Sequence, residues 1–112
     1  MTQNEIVKIV VFVPETHGDA VRRALGDSGA GKIGTYTHCS ISVKGVGRYI
    51  PGEGSKPFIG EVGKFEEVIE ERIETPCNRS DLPQIIKAVK EAHPYEEPVI
   101  EVYPMLDISQ LM

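Results

Sequence analysis

The chain has 112 residues, of which 12 are basic and 17 acidic, so that its formal net charge is -5 and its sequence pI is near 5.2. This length suits one compact domain over residues 1–112, and the acidic balance excludes nucleic acids and anionic membranes as expected partners, because it has the wrong sign for binding phosphates. No apolar run approaches the roughly 20 residues that span a bilayer, and residues 1–8 lack the pattern of a signal peptide, so we expect a cytoplasmic protein with free thiols at Cys39 and Cys77.

The first predicted elements are a buried strand and an amphipathic helix. Residues 6–13 are almost continuously apolar and rich in β-branched side chains, which is typical of a central strand. Pro14 ends this run, and residues 15–28 carry an apolar stripe at helical spacing. The stripe consists of Ala20, Val21, Ala24 and Leu25.

The next segment, GDSGAGKI at residues 26–33, is close to the phosphate-binding pattern G-x-x-x-x-G-K-[ST]. Ile33 replaces the hydroxyl residue that would coordinate magnesium. In addition, the glycines come where a helix ends, whereas a phosphate loop leads from a strand into a helix. Glycine tolerates the positive φ of helix ends and turns. The motif therefore predicts a helix C-cap followed by a turn.

A second strand and a long loop follow. Residues 36–46 have the pattern of a strand, and residues 45–63 are too rich in glycine and proline for regular structure. Such loops are often functional, since glycines let backbone N–H groups approach a ligand, and nearby basic residues favour an anionic small molecule. The candidate ligand-binding residues are Lys44, Gly45, Gly47, Arg48, Gly52, Gly54 and Lys56. The alternative is a mobile linker that orders at a subunit contact.

The segment 65–75 is ambiguous. Val62, Phe65, Ile69 and Ile73 match helical spacing, and a strand would have a poorer amphipathic pattern, so the local sequence predicts a helix. The many glutamates from Glu61 to Glu74 indicate a solvated face rather than a metal cluster.

The last predicted elements are a helix and an edge strand. A helix over residues 80–92 has Ser80 as its expected N-cap and Pro83 in its first turn. Residues 99–103 then form a strand, and the flanking prolines place it at or near a sheet edge. These prolines are Pro98 and Pro104.

Three segments carry a resemblance to a known family. They are GAGKIGTYTHCSISVKGVGRYIPGEGSKPFIGEVGKFEEVIEERIE, the helix predicted downstream of it, and HPYEEPVIEVYP. Together they resemble the insert domain of the YqfO-like (Nif-three-like) proteins, here standing alone. The resemblance implies a fold similar to CutA and the PII signalling proteins, an α+β ferredoxin-like βαββαβ antiparallel sheet with both helices on one face. It makes residues 65–75 a strand and implies a homotrimer, but the metal ligands of the full-length proteins lie in flanking domains.

Two histidines, a cysteine and a glutamate are candidate ligands for zinc or copper. They are His38, Cys39, His93 and Glu96. Imidazole, thiolate and carboxylate suit these ions, although no C-x-x-C or H-x-x-x-H spacing occurs. Neighbouring residues of a strand point to opposite faces, so His38 and Cys39 share an ion only if a bulge intervenes. The alternative is that Cys39 is a small buried residue and that His93 ends a helix.

The segment HPYEEP at residues 93–98 allows two interpretations. Its prolines rigidify a turn in which Tyr95 buries its ring, a structural role that we favour. Alternatively, Glu96 and Glu97 present carboxylates to a ligand or to a neighbouring subunit.

These observations favour a non-catalytic oligomeric module with a regulatory or binding role, which takes a small ligand or a partner protein. Open sheet edges tend to be covered by another chain, which favours the homo-oligomer. The alternative hypothesis is a divalent or copper-type metal-binding protein similar to CutA. A metal-dependent hydrolase fragment is a third hypothesis, which rests on the resemblance alone.

Overall fold

The structure, a computed structural model, describes residues 5–112. Its helices and strands are β1 Ile6–Pro14, α1 Gly18–Asp27, β2 Ile41–Tyr49, β3 Glu66–Asn78, α2 Leu82–Ala92 and β4 Val99–Pro104. The strands form one antiparallel sheet in the order β2-β3-β1-β4. This arrangement confirms the predicted βαββαβ topology, with β1 inside the sheet and β4 at an edge.

Both helices cover one face of the sheet. Alternate residues of β1 and β3 point toward this face and pack against the apolar stripes of α1 and α2. Each fully buried aliphatic side chain contributes roughly 1.5–3 kcal/mol to folding. The core consists of Val7, Ile9, Val11, Val13, Val21, Leu25, Ala30, Ile73, Cys77, Ile85 and Val89. Both cysteines are free.

The opposite face of the sheet, which we call the open face, lies away from the helices. Phe12 of β1 pairs there with Arg72 of β3 and with Val99 of β4. The guanidinium of Arg72 lies over the Phe12 ring, 5.3 Å from its centroid. Residues 66–69 of β3 pair with β2 beyond the end of β1, so the β2–β3 hairpin extends past the rest of the sheet.

Residues 66–75 belong to strand β3, so the helix predicted from local spacing is wrong and the strand implied by the resemblance is confirmed. From Glu70 to Glu74, β3 lies between β1 and β2 and pairs with both. Its alternate residues Ile73, Thr75 and Cys77 are buried. These long-range hydrogen bonds and the burial of this face outweigh a local helical preference, which is a weak prior.

Strand β2 begins later than predicted. Residues 36–40 lie outside it because the chain first turns on itself, with paired backbone hydrogen bonds between Ile33 and Tyr36. His38 then adopts a φ of 60°, which is incompatible with a strand. The strand begins at Ile41, so the expected alternation of His38 and Cys39 across a strand is also wrong.

Strand β2 also ends later than predicted, at Tyr49. Gly45, Gly47 and Arg48 were expected in a loop, but they pair with Glu70, Val68 and Glu67 of β3. The partner strand supplies hydrogen bonds that compensate for the low strand preference of glycine. The loop between the two strands is therefore residues 50–65.

The helix starts also differ from the sequence prediction. α1 begins at Gly18 after a 3-10 turn at Glu15–His17, rather than at residue 15. α2 begins at Leu82 with Asp81 at the N-cap, because a 3-10 turn at Arg79–Asp81 includes Ser80 and removes it from the capping position. Among the described residues 5–112, none of the helices has both the length and the apolar character that a membrane-spanning helix requires.

The glycine-rich motif ends α1, as predicted. Ser28 is the C-cap, and Gly29 follows with a φ of 119°. The N–H of Gly29 donates to the carbonyl of Gly26, and the N–H of Ala30 donates to the carbonyl of Leu25. This pair of hydrogen bonds defines a Schellman motif, so the glycine serves a helix C-terminus.

Candidate ligand-binding cleft on the open face

A cleft of about 570 Å³ lies on the open face. The end of β2, the loop 50–65 and the segment 95–99 surround it, and residues of β1 and β3 contribute to its base. Its aromatic and apolar lining includes Phe12, Tyr49, Pro51, Phe58, Tyr95 and Val99. Its acidic lining consists of Glu70, Glu96, Glu97 and Glu101. The cleft therefore combines segments that are far apart in the sequence.

Tyr95 organises the aromatic part of the cleft. Its ring lies 6.1 Å from that of Tyr49 and 6.4 Å from that of Phe58, measured between centroids. Its hydroxyl donates to Oε2 of Glu70 at 3.1 Å. Burial, together with Tyr49 and Glu70, raises the pKa of the Tyr95 hydroxyl, so that it stays protonated and acts as a donor.

His93 fixes the backbone of Tyr95 through hydrogen bonds. It is 6% exposed, and its Nε2 lies 2.7 Å from the carbonyl oxygen of Phe12. The backbone N–H of Tyr95 donates to its Nδ1 at 3.1 Å. Because the Phe12 carbonyl can only accept, Nε2 carries the proton and the ring is neutral in this arrangement. Burial lowers the pKa of His93, against smaller opposing effects of Phe12 and Glu70.

The predicted ligand-binding residues lie partly in this cleft. Gly47 and Arg48 line it. Lys44 lies outside the lining and forms an ion pair with Glu15 at 3.2 Å, while the backbone N–H of Lys56 donates to Oε1 of Glu96 at 2.8 Å. The other predicted glycines have open space where a Cβ would stand. They are Gly45, Gly52 and Gly54. Ligand binding by this set stays a prediction.

The charge of the cleft does not favour the anionic ligand that we expected. Four carboxylates line it, against the single guanidinium of Arg48. Nε of Arg48 lies 2.7 Å from Oε2 of Glu67, so its charge is already balanced. Sequence position alone suggested a basic loop, whereas the fold brings glutamates of β3, β4 and the segment 95–99 to the same place.

The four candidate metal ligands do not converge. Nε2 of His38 lies 2.9 Å from Oδ1 of Asp27, near the end of α1. Both ring nitrogens of His93 are engaged, as described above, and Glu96 lines the cleft. Within residues 5–112, no group of three or more histidine, cysteine and acidic residues could hold a metal ion. Binding of zinc or copper by His38, Cys39, His93 and Glu96 stays a prediction.

In the segment 93–98, Tyr95 is hydrogen-bonded to Glu70, in agreement with the structural role that we favoured. Glu96 and Glu97 line the cleft, and their presentation to a ligand or a neighbouring subunit stays a prediction. Tyr49, Phe58 and the acidic residues of β3 and β4 were missed as site residues. The signal that could have found them is the alternation of β3, since Glu70 is on the open face once residues 65–75 are taken as a strand.

Comparisons with known proteins relate this chain to part of a larger family. The GTP cyclohydrolase 1 type 2 homolog of Halalkalibacterium halodurans is 46% identical over 111 residues, which are 99% of this chain and 30% of that protein. The homolog of Bacillus subtilis is 47% identical over 98 residues, 88% of this chain and 26% of that protein. This chain therefore spans less than a third of these curated relatives. No family model matches it.

Solved structures agree with this relation. The crystal structure of a Bacillus cereus protein related to NIF3 is 48% identical, has a TM-score of 0.81 and covers 93% of this chain, which spans 26% of that one. CutA from Archaeoglobus fulgidus, a periplasmic divalent cation tolerance protein, is 15% identical with a TM-score of 0.65, over 91% of this chain and 85% of that one. The second likeness concerns the fold alone. The chain is thus homologous to one segment of the NIF3-related, YqfO-like GTP cyclohydrolase 1 type 2 homologs and has a CutA-like fold.

Proposed function

We propose that this chain is a non-catalytic binding module that takes a small ligand in the cleft and works as a homo-oligomer. The observation that carries the proposal is the cleft itself. Its volume lies within the range of small-molecule sites, roughly 300–1,000 Å³, and its aromatic walls with a few polar groups are typical of them. The free thiols of Cys39 and Cys77 support a cytoplasmic location, where thiols stay reduced.

The chemistry of the cleft supports binding rather than proton transfer. A general acid or base needs a pKa near the working pH and a free hydrogen-bonding atom. The raised pKa of Tyr95 keeps its hydroxyl protonated, and both ring nitrogens of His93 are used in contacts with the backbone. These two groups therefore hold the cleft in shape.

Filling the cleft is expected to abolish ligand binding. Val99 lines it, whereas Val102 lies on the same strand and faces the helices. In Val99→Trp the indole occupies the cleft. With benzyl alcohol as a probe at millimolar concentration, we therefore expect the variant to bind at least ~10-fold more weakly than the wild type. The measurement is an amide NMR titration, in which wild-type shifts concentrate in residues 47–51 and 95–99.

Val102→Trp is the matched control and should keep the wild-type affinity. Equal binding by wild type and Val99→Trp, or wild-type shifts spread evenly over the chain, would refute the cleft as the binding site.

The homo-oligomer is supported by the edges of the sheet. β2 and β4 are the edge strands, and open edges recruit further chains. Both strands expose large apolar side chains, which a contact with another chain would bury. On the open face these are Ile41, Val43, Val99 and Tyr103. We propose a trimer, as the resemblance to CutA implied.

A charge on β2 is expected to dissociate the oligomer. Val43 is 54% exposed, on the open face of an edge strand. Burying an unpaired lysine at a subunit contact is costly, so Val43→Lys should raise the dissociation constant by about 100-fold or more. Sedimentation velocity at micromolar concentration measures this shift. Ala20 was expected in the apolar stripe of α1 but is exposed in the structure. Ala20→Lys therefore adds the same charge at an exposed site and should leave the assembly intact. Sedimentation of the wild-type protein as a 12.3 kDa monomer would refute the proposed homo-oligomer.

A further inference from the structure

The acidic groups of the cleft have no cationic partners. Among residues 5–112, none of Glu70, Glu96, Glu97 and Glu101 takes part in an ion pair, although nine other pairs occur there. The hydrogen bonds that they accept come from neutral donors, namely the hydroxyls of Tyr95 and Tyr103 and the backbone N–H of Lys56. Their negative charge is therefore uncompensated.

Among residues 5–112, Arg48 is the one cation that lines the cleft, and it does not change this balance. Arg48 carries one positive charge, and its guanidinium is bound to Glu67 at the rim of the hairpin. The negative potentials of four carboxylates add up in one concave site with apolar walls, because a cleft concentrates the field of like charges. An anion is repelled there and a cation is attracted.

The aromatic lining suits the same kind of ligand. The faces of tyrosine and phenylalanine rings attract ammonium and guanidinium groups. The open face already contains such a contact, since the guanidinium of Arg72 lies 5.3 Å from the centroid of Phe12. Tyr49, Phe58 and Tyr95 offer further rings beside the carboxylates.

From these observations we infer that the cleft binds a small organic cation, an ammonium or guanidinium group on an apolar body. This inference rests on the proposed function and names its ligand class. The carboxylates bind the charged group, and the rings and Pro51 contact the apolar body. The volume favours a small molecule over a protein surface, which needs a wider and flatter contact.

The inference can be tested with three probes that share a phenyl ring, namely benzylamine, benzyl alcohol and phenylacetate. Each is titrated by amide NMR at neutral pH. We expect benzylamine to bind about 10-fold more tightly than benzyl alcohol, and phenylacetate to bind most weakly. Raising the salt concentration to about 0.5 M should reduce this preference, because exposed charges are screened.

Paired variants identify the carboxylates that matter. Glu97→Gln combined with Glu101→Gln removes two charges from the cleft and should weaken benzylamine about 5-fold or more, with little effect on benzyl alcohol. Glu53→Gln combined with Glu91→Gln removes two exposed charges outside the lining and should change neither.

The outcomes separate this inference from the proposed function. Equal affinity for benzylamine and benzyl alcohol overturns the cationic ligand and leaves the binding cleft in place. If none of the three probes shifts the cleft amides, both are wrong.

Discussion

Gly31→Ala is expected to lower the free energy of unfolding by about 3 kcal/mol or more. Gly31 is buried with a φ of 85°, where an L side chain costs roughly 1–2 kcal/mol. An added Cβ would also lie 2.6 Å from both the backbone N and the backbone O of Cys39, and such overpacking costs roughly 1–3 kcal/mol. Urea denaturation followed by circular dichroism measures the change.

This cost arises because Gly31 ties residues 31–40 to the sheet. Its N–H donates to the carbonyl of Pro76 at 2.7 Å, and its carbonyl accepts from the N–H of Cys39 at 2.9 Å. The hydroxyl of Thr75 then donates to the carbonyl of Cys39 at 2.6 Å. A side chain at residue 31 would push this segment away from β3.

Gly34→Ala is the matched control. Gly34 has a φ of 59°, but nothing lies within 4 Å of the position of its Cβ. Only the backbone strain applies, so a loss of about 1 kcal/mol is expected. If Gly31→Ala is no more destabilising than Gly34→Ala, the close approach of the Cys39 backbone is not the reason why residue 31 must be glycine.

His93→Ala is expected to cost about 3 kcal/mol of unfolding free energy and to disorder the cleft. It removes the hydrogen-bond partners of the Phe12 carbonyl and the Tyr95 N–H, and each buried group left unpaired costs roughly 1–3 kcal/mol. Because Tyr95 loses its support, binding of benzyl alcohol should weaken as well. His93→Gln offers one donor and one acceptor and should recover part of the loss.

The contribution of His93 also depends on pH. Burial lowers its folded pKa below the ordinary value of 6.5, so between these two pKa values the unfolded chain binds more protons. Its stabilising contribution is therefore fully present above about pH 6.5 and is lost as the pH falls through the folded pKa. Glu70 opposes this lowering and His17 reinforces it.

Unfolding free energies measured from pH 7.5 to pH 5 should decline more steeply for the wild type than for His93→Gln. Parallel curves for the two proteins would mean that His93 does not remain neutral in the folded state.

Most of the fold could be predicted from local patterns. The apolar run of β1 and the stripes of α1 and α2 need no long-range information, since the periodicity of each segment matches one secondary structure. The glycines after α1 likewise predicted its end, because the C′ position requires a positive φ. β3 was the exception: its spacing favoured a helix, and a family resemblance was needed to recognise the strand.

The cleft was much harder to predict. Gly47, Arg48 and Glu96 belonged to the expected sites, but they were assigned to different ones. Tyr95 and Glu70 are 25 positions apart and meet because β3 pairs with β1, whose Phe12 carbonyl holds His93 beneath Tyr95. No local pattern encodes such a chain of contacts.

By itself, then, the periodicity of the sequence determined β1, α1, α2 and β4, because periodicity and capping are properties of neighbouring residues. The class of fold also required the family resemblance, which made residues 65–75 a strand. The tertiary structure alone decided that His93 is a buried neutral support and that four glutamates share one cleft, and it overrode the local helical spacing of residues 66–75. The physical reason is that strand pairing, burial and the summed field of charges depend on residues far apart in the chain, and these terms exceed local preferences of a few tenths of a kcal/mol per residue.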